Sequence, residues 1–189
     1  MYFHNLATNP QKTLDARAGA CFHGDMLRKP ATDTPRFRGF APFVRADSRI
    51  LVLGSFPSVK SREQGFYYGH PQNRFWKTLA AIHGDPIPST IPEKKALLAR
   101  RRIALWDMAA ECEIEGSMDS DLRNVRVVDL APLMKKAPIE RILLNGRKAE
   151  SLFLAHCPEW AHLAVYVPST SPANGRFSPD AWRAALSIG

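Results

Sequence analysis

The chain has 189 residues, 45% hydrophobic and 23% charged, a balance that excludes disordered and fibrous classes and suits one domain with a buried core. No apolar run nears the roughly 20 residues of a membrane span, and MYFHNLATNPQKTLDARAGA at the N-terminus has no apolar stretch of the secretory kind, so a cytoplasmic protein is expected. Twenty-six Lys and Arg against 18 Asp and Glu leave a net charge of +8, which suits a nucleic-acid partner, and the three scattered cysteines, Cys21, Cys112 and Cys157, support neither a disulfide framework nor a thiolate metal cluster.

Residues 1 to about 48 show no sustained period of 2 or 3.6. We read residues 1–35 as an irregular N-terminal arm, followed by RFRGFAPF (36–43), an aromatic and basic segment able to dock on the domain. RILVLG (49–54) is a continuous apolar run ending at glycine, the pattern of a buried parallel strand. A GSFPS turn and the loop FYYGHPQN follow. NRFWKTLAAIHG (73–84) then has a helical apolar face closed by Gly84.

EKKALLARR (93–101) reads as a second helix and IALWDM (103–108) as a second strand, whereas Cys112 to Asn124 is polar. VVDLAPLMKK predicts a helix broken or begun near Pro132. RILLNG (141–146) repeats the strand-then-glycine pattern, RKAESLFLAH (147–156) is an amphipathic helix and LAVYVP (163–168) a last strand. SPDAWRAAL (178–186) closes the chain as a helix with Ser178 as N-cap and Pro179 in the first helical position. Strands alternating with helices predict an α/β fold, a three-layer αβα sandwich around a central four-stranded, mainly parallel sheet. Ligands of such sheets bind beyond the carboxyl ends of the strands, which selects GSFPS, FYYGHPQN, LNG and PSTSPANG.

Those loops carry polar and aromatic groups but no standard nucleotide motif: GSFPSVKS lacks both the P-loop and the dinucleotide spacing. Ser55 and Ser58 lack a nucleophile elbow, and the plainer reading of their loop is a turn. No histidine has H-x-x-x-H spacing with an acidic partner, so no metal site is expected, and His70 before Pro71 suits a hydrogen-bonding role at least as well as catalysis. Phe75 and Trp76 read as core, while Tyr67 and Tyr68 lie where exposed aromatics can stack on bases. Asn73 is a helix N-cap on the plain reading, and its amide can also hold a water or read a base edge. The small polar residues of PSTSPANGR suit close contact with phosphates, although a solvated loop is the simpler view.

The run GSFPSVKSREQGFYYGHPQNRFWK (54–77) resembles the first motif region of the uracil-DNA glycosylase superfamily, nearest the mismatch-specific type with its HPxNRFWK signature. PSTSPAN (168–174) is similar to the second motif, and DSDLRN and LLNGRKAESLF resemble the hypoxanthine-DNA, or deoxyinosine, glycosylase branch. The resemblance covers about residues 36 to 188 and implies a single glycosylase domain over 36–189.

It implies a base pocket made by Gly54, Ser55, Phe56, Tyr68 and His70, with Tyr68 stacking under the flipped base. Ser58, Ser61, Ser169, Ser171, Pro172, Asn174 and Arg176 would contact the DNA backbone. Phe56 stands where most of the superfamily keeps the acid that activates water, Ser169 where uracil-specific members place a His, and Ala173 where they place the wedge Leu. The deoxyinosine branch lacks the same acid and relies on the helix asparagine, which makes Asn73 the catalytic residue. Four cysteines are needed by the iron–sulfur members, and this chain has three.

The implied function is repair of double-stranded DNA by a monofunctional, monomeric glycosylase without metal or cofactor. It would flip out a deaminated base, hypoxanthine first with uracil and xanthine as further candidates, and leave an abasic site. The alternatives are a mismatch-specific uracil/thymine glycosylase and a DNA-binding homologue that has lost catalysis with the acid.

Overall fold

A computed structural model describes residues 35–114 and 122–187 of the chain. The expected arm, Cys21 and the DSD of DSDLRN lie outside the described residues, apart from residue 35. The centre is a four-stranded parallel sheet in the order β3-β2-β6-β7, built from β2 (Ile50–Gly54), β3 (Ile103–Asp107), β6 (Arg141–Asn145) and β7 (Ala164–Val167).

Every residue of β2 is buried, as expected of a strand covered on both faces. Its alternate side chains enter two different cores. Ile50 and Val52 join Leu79 of α2 (Phe75–His83), Leu97 and Leu98 of α3 (Ile91–Arg100) and Trp182 of α6 (Pro179–Leu186). Leu51 and Leu53 join Leu133 of α4 (Ala131–Lys136) and Ala149 and Phe153 of α5 (Arg147–His156) on the opposite face. The expected three-layer α/β sandwich is therefore present.

Two elements depart from the sequence reading. A short helix, α1 (Val59–Gln64), follows the GSFPS turn, capped at its start by Ser58, whose Oγ accepts from Ser61 N. A second sheet, order β1-β4-β5, joins β1 (Arg36–Arg38), β4 (Ala109–Ile114) and β5 (Leu122–Val127) antiparallel. The RFRGFAPF segment, read as able to dock on the domain, and the stretch from Cys112 to Asn124 thus both contribute to strands. Their outer face is held by charge, with Glu111 pairing to Arg38 at 3.1 Å and Arg126 at 3.0 Å.

Boundaries also shift slightly. The helix expected from 93 begins at Ile91, because Thr90 and Glu93 form a reciprocal capping box. Ser178 and Pro179 stand where expected, although the Ser178 side chain makes no capping bond. The Glu93 carboxylate accepts from Ser89 N, Thr90 N and Ser89 Oγ, and these bonds hold its pKa at about 2 against an ordinary 4.5. A depressed folded pKa contributes stability above the unfolded value, lost as pH falls from about 4.5 through about 2. Glu93→Gln is therefore expected to flatten the acid side of a melting-temperature profile between those limits; an unchanged profile would show the box to be energetically silent.

Among the described residues no helix is long and apolar enough to cross a membrane, and no group of three His, Cys, Asp or Glu side chains could hold a metal ion.

Candidate active site

Parallel pairing puts the carboxyl ends of β2, β3, β6 and β7 along one edge, and a cavity of about 380 Å³ opens there. It is lined from four directions: Gly54 to Val59 after β2, Tyr67, Tyr68 and Asn73 from the long loop, Asp107 and Asn145 from strand ends, and Ser169 to Ser171 from the loop after β7. Ile114 and Leu122, a pair of the β4–β5 ladder, and Ser61, Arg62, Ala173 and Asn174 also line it. Its volume is within the range of about 300–1,000 Å³ typical of small-ligand pockets.

Two of the lining residues are charged, Asp107 and Arg62. Asp107 ends β3 opposite Gly54 in the parallel register and is only 4% exposed. Gly54 is required there for space: a Cβ would overlap Asp107 Oδ1 and come within 3.4 Å of Tyr68 Oη. Gly54→Ala is expected to cost about 1–3 kcal/mol of stability by overpacking. In an Asp107→Ala background the same change should cost much less, measured as a double-mutant cycle of denaturation midpoints; equal costs in both backgrounds would reject the clash.

The aromatic loop divides its work. Tyr67, expected to be exposed, is 3% exposed; its hydroxyl donates to Ala41 O at 2.9 Å and its carbonyl accepts from Trp76 Nε1. Burial pushes its phenol pKa well above the ordinary range, with the charge of Asp107 and then Tyr68 adding to the rise. Tyr68 is half-buried, stacks on Phe75 with ring centroids 4.1 Å apart, and has φ +52. A tyrosine in this left-handed region is held against its preference by its surroundings, a kind of strain that clusters at functional sites. Phe75 and Trp76 are core, as expected.

Asn73 was expected to cap the helix, and it does so from one position further out. The helix starts at Phe75 with Arg74 in the cap position, while Asn73 Oδ1 accepts from Phe75 N at 2.9 Å. One end of the amide is thereby committed to the helix, and the Nδ2 donors remain for the cavity that Asn73 lines.

Arg74 couples this helix to the loop after β7. Its N–H donates to Thr170 O, and its Nη1 donates to Ser171 O at 3.2 Å and Asn174 O at 2.9 Å. From below, Asn145 holds the buried Thr170 twice: Asn145 Oδ1 accepts from Thr170 N, and Asn145 Nδ2 donates to Thr170 Oγ1. Gly146, with φ +98, lets the loop pass close above, since a Cβ there would sit 2.9 Å from Ser169 Cβ.

Most of the expected residues are brought together: Gly54, Ser55, Phe56, Ser58, Ser61, Tyr68, Asn73, Ser169, Ser171 and Asn174 all line the cavity. His70 does not. Its Nδ1 accepts from Gln72 N and its carbonyl from Asn73 N, bonds that shape the turn, and it does not line the cavity. Ser61, although it lines the cavity, is 2% exposed; its hydroxyl accepts from Gly69 N and bonds Ser58 Oγ, which braces the loop.

Pro172 and Arg176 lie in the loop outside the cavity wall, with Arg176 exposed. Asn174 spends its amide on its own loop, donating to Ser169 O and accepting from Arg176 N. Asp107 and Arg62 are among the lining residues that sequence reasoning missed, and Asn145 was reached only as part of the LNG segment, with no role of its own. The signal for Asp107 and Asn145 was their position, each the last residue of an apolar strand at the ligand-binding edge.

A family model described as the uracil DNA glycosylase superfamily matches residues 41–186. A hypoxanthine DNA glycosylase of Methanosarcina acetivorans is 36% identical over 148 residues, covering 76% of this chain and 91% of that protein. A second protein of that name, from Methanosarcina barkeri, is 33% identical over 114 residues, 59% of this chain and 72% of its own. The NMR structure of a candidate uracil DNA glycosylase from M. acetivorans superposes with a TM-score of 0.72 at 32% identity, covering 80% of this chain and 97% of that one.

Proposed function

This chain belongs to the uracil DNA glycosylase superfamily and is a DNA glycosylase for deaminated bases, and on that premise we propose that its principal substrate is hypoxanthine in duplex DNA, released with Asn73 as the catalytic residue. The observation that carries this reading is the pairing of a buried carboxylate, Asp107, with an amide donor, Asn73, in one base-sized cavity whose first-motif position holds Phe56. A phenyl ring activates no water, so the chemistry falls to the polar groups that remain.

The base must leave the stack to reach this cavity, at a cost of a few kcal/mol that is least for mispaired bases. Tyr68, fixed against Phe75, offers a flat face for it. Asp107 is the acceptor for the N1–H of hypoxanthine, a donor that adenine lacks. The C1′–N9 bond then breaks with its electron pair leaving on the base. Water bonds C1′, and its proton passes to a purine nitrogen.

Charge thus develops on the base, and fixed donors near it lower the barrier. Asn73 Nδ2 is such a donor; its oxygen, engaged by Phe75 N–H, suits it less to a water-activating role. The enzyme works as a monomer without metal or cofactor. Duplexes bearing deoxyinosine opposite each base, treated with enzyme and then alkali, should be cut at the lesion. Strands left intact in every pairing would sink the proposal, and faster cutting at uracil would assign the chain to the mismatch-specific type.

A further inference from the structure

The second charged residue of the cavity has no part in this scheme. Arg62 lies on α1, half-buried, with its guanidinium 4.4 Å from the ring centroid of Phe37 on β1 and 5.6 Å from that of Phe56. One edge donor, Nη1, reaches Pro57 O at 3.2 Å. Among the described residues it makes no ion pair, whereas Arg38 and Arg126 on the neighbouring sheet are each paired with Glu111.

Two aromatic rings lie within cation–π range of the guanidinium, and one hydrogen bond, to Pro57 O, engages its edge among the described residues. A planar fork with free edge donors matches the paired oxygens of a phosphate. Its greater exposure, against the 4% of Asp107, sets it toward the cavity mouth rather than the floor. When a nucleotide is drawn in base first, its sugar-phosphate remains at the mouth. We infer that Arg62, held beside Phe37 and Phe56 at the cavity, is a binding residue for one phosphodiester flanking the flipped nucleotide.

Phe56 then has a positive role: the ring that replaces the acid helps to orient the cation that grips the strand. The inference rests on the glycosylase reading, so the experiment must separate the two. Wild-type excision from a deoxyinosine duplex tests that reading alone. For Arg62, single-turnover rates are measured with duplexes carrying a neutral methylphosphonate at each linkage beside the lesion, using wild type and Arg62→Gln. The glutamine keeps a donor for Pro57 O, and Arg62→Lys serves as a second variant that keeps charge but not the fork.

Arg62→Gln should lose about 10- to 100-fold in kmax/K½, mainly through K½, as expected for one charge-assisted hydrogen bond. The slope of log affinity against log salt should fall by about 0.9. At one linkage the methylphosphonate should weaken wild type by a similar factor and Arg62→Gln by no more than about twofold further. Losses that multiply at every flanking linkage, an unchanged salt slope, or a defect confined to kmax would overturn the assignment, the last by moving Arg62 to the base.

Discussion

Asn73→Ala will release hypoxanthine at least about 10²-fold more slowly than wild type while still binding the lesion duplex, the loss expected for a positioned donor acting on developing charge. The change also removes the acceptor for Phe75 N–H, which costs about 1 kcal/mol of stability as a lost cap. Asn73→Asp separates the two effects. A carboxylate keeps the acceptor and suits a helix N-terminus, so the melting temperature should hold, but it has no donor and turnover should remain low. A fast Asn73→Asp enzyme would mean that the oxygen, not the Nδ2 donors, performs the chemistry.

Asp107→Asn should lower deoxyinosine excision by about 10²- to 10³-fold and narrow the preference for hypoxanthine over adenine. On the proposed reading the carboxylate would accept from N1–H and repel the lone pair at adenine N1, whereas an amide could donate to that lone pair. Removing a charge therefore relaxes selectivity as well as slowing the reaction. The measurement is a pair of single-turnover rates, deoxyinosine and deoxyadenosine in the same duplex context. Wild-type speed on deoxyinosine, or an unchanged ratio, would remove Asp107 from base reading.

The parts of the fold that were legible are those whose residues face one kind of surroundings. β2 and β6 are covered on both faces, so RILVLG and RILLNG announce themselves as apolar runs, and the carboxyl-edge rule then located the cavity. The second sheet stayed hidden because its strands face two ways. LRNVRV breaks its alternation at Arg123 and Asn124, both exposed, and pairs through arginine and glutamate, so in sequence it reads as a polar loop. α1 was hidden by its brevity, six residues held by Ser58 rather than by an apolar face.

The site shows the same division. Asn73 and Tyr68 stood out as unusual residues in a recognisable motif. Asp107 did not, because one carboxylate at the end of a strand gains meaning only when Gly54 and Tyr68 are seen against it. His70 differs in the opposite sense: its motif pointed to the base, whereas its Nδ1 accepts from Gln72 N–H in a turn outside the cavity wall.

The bonds of Arg74 to Thr170, Ser171 and Asn174 carry a lesson for transplantation. The loop after β7 resembles a cassette, short and bounded by a strand and a helix, and it invites exchange with a relative to retune how the protein holds its strand. Its shape, however, is written partly at the start of another helix some hundred residues earlier in the chain. The portable module is therefore the loop together with residue 74, and swapping the loop alone would import a sequence without the support that gives it form.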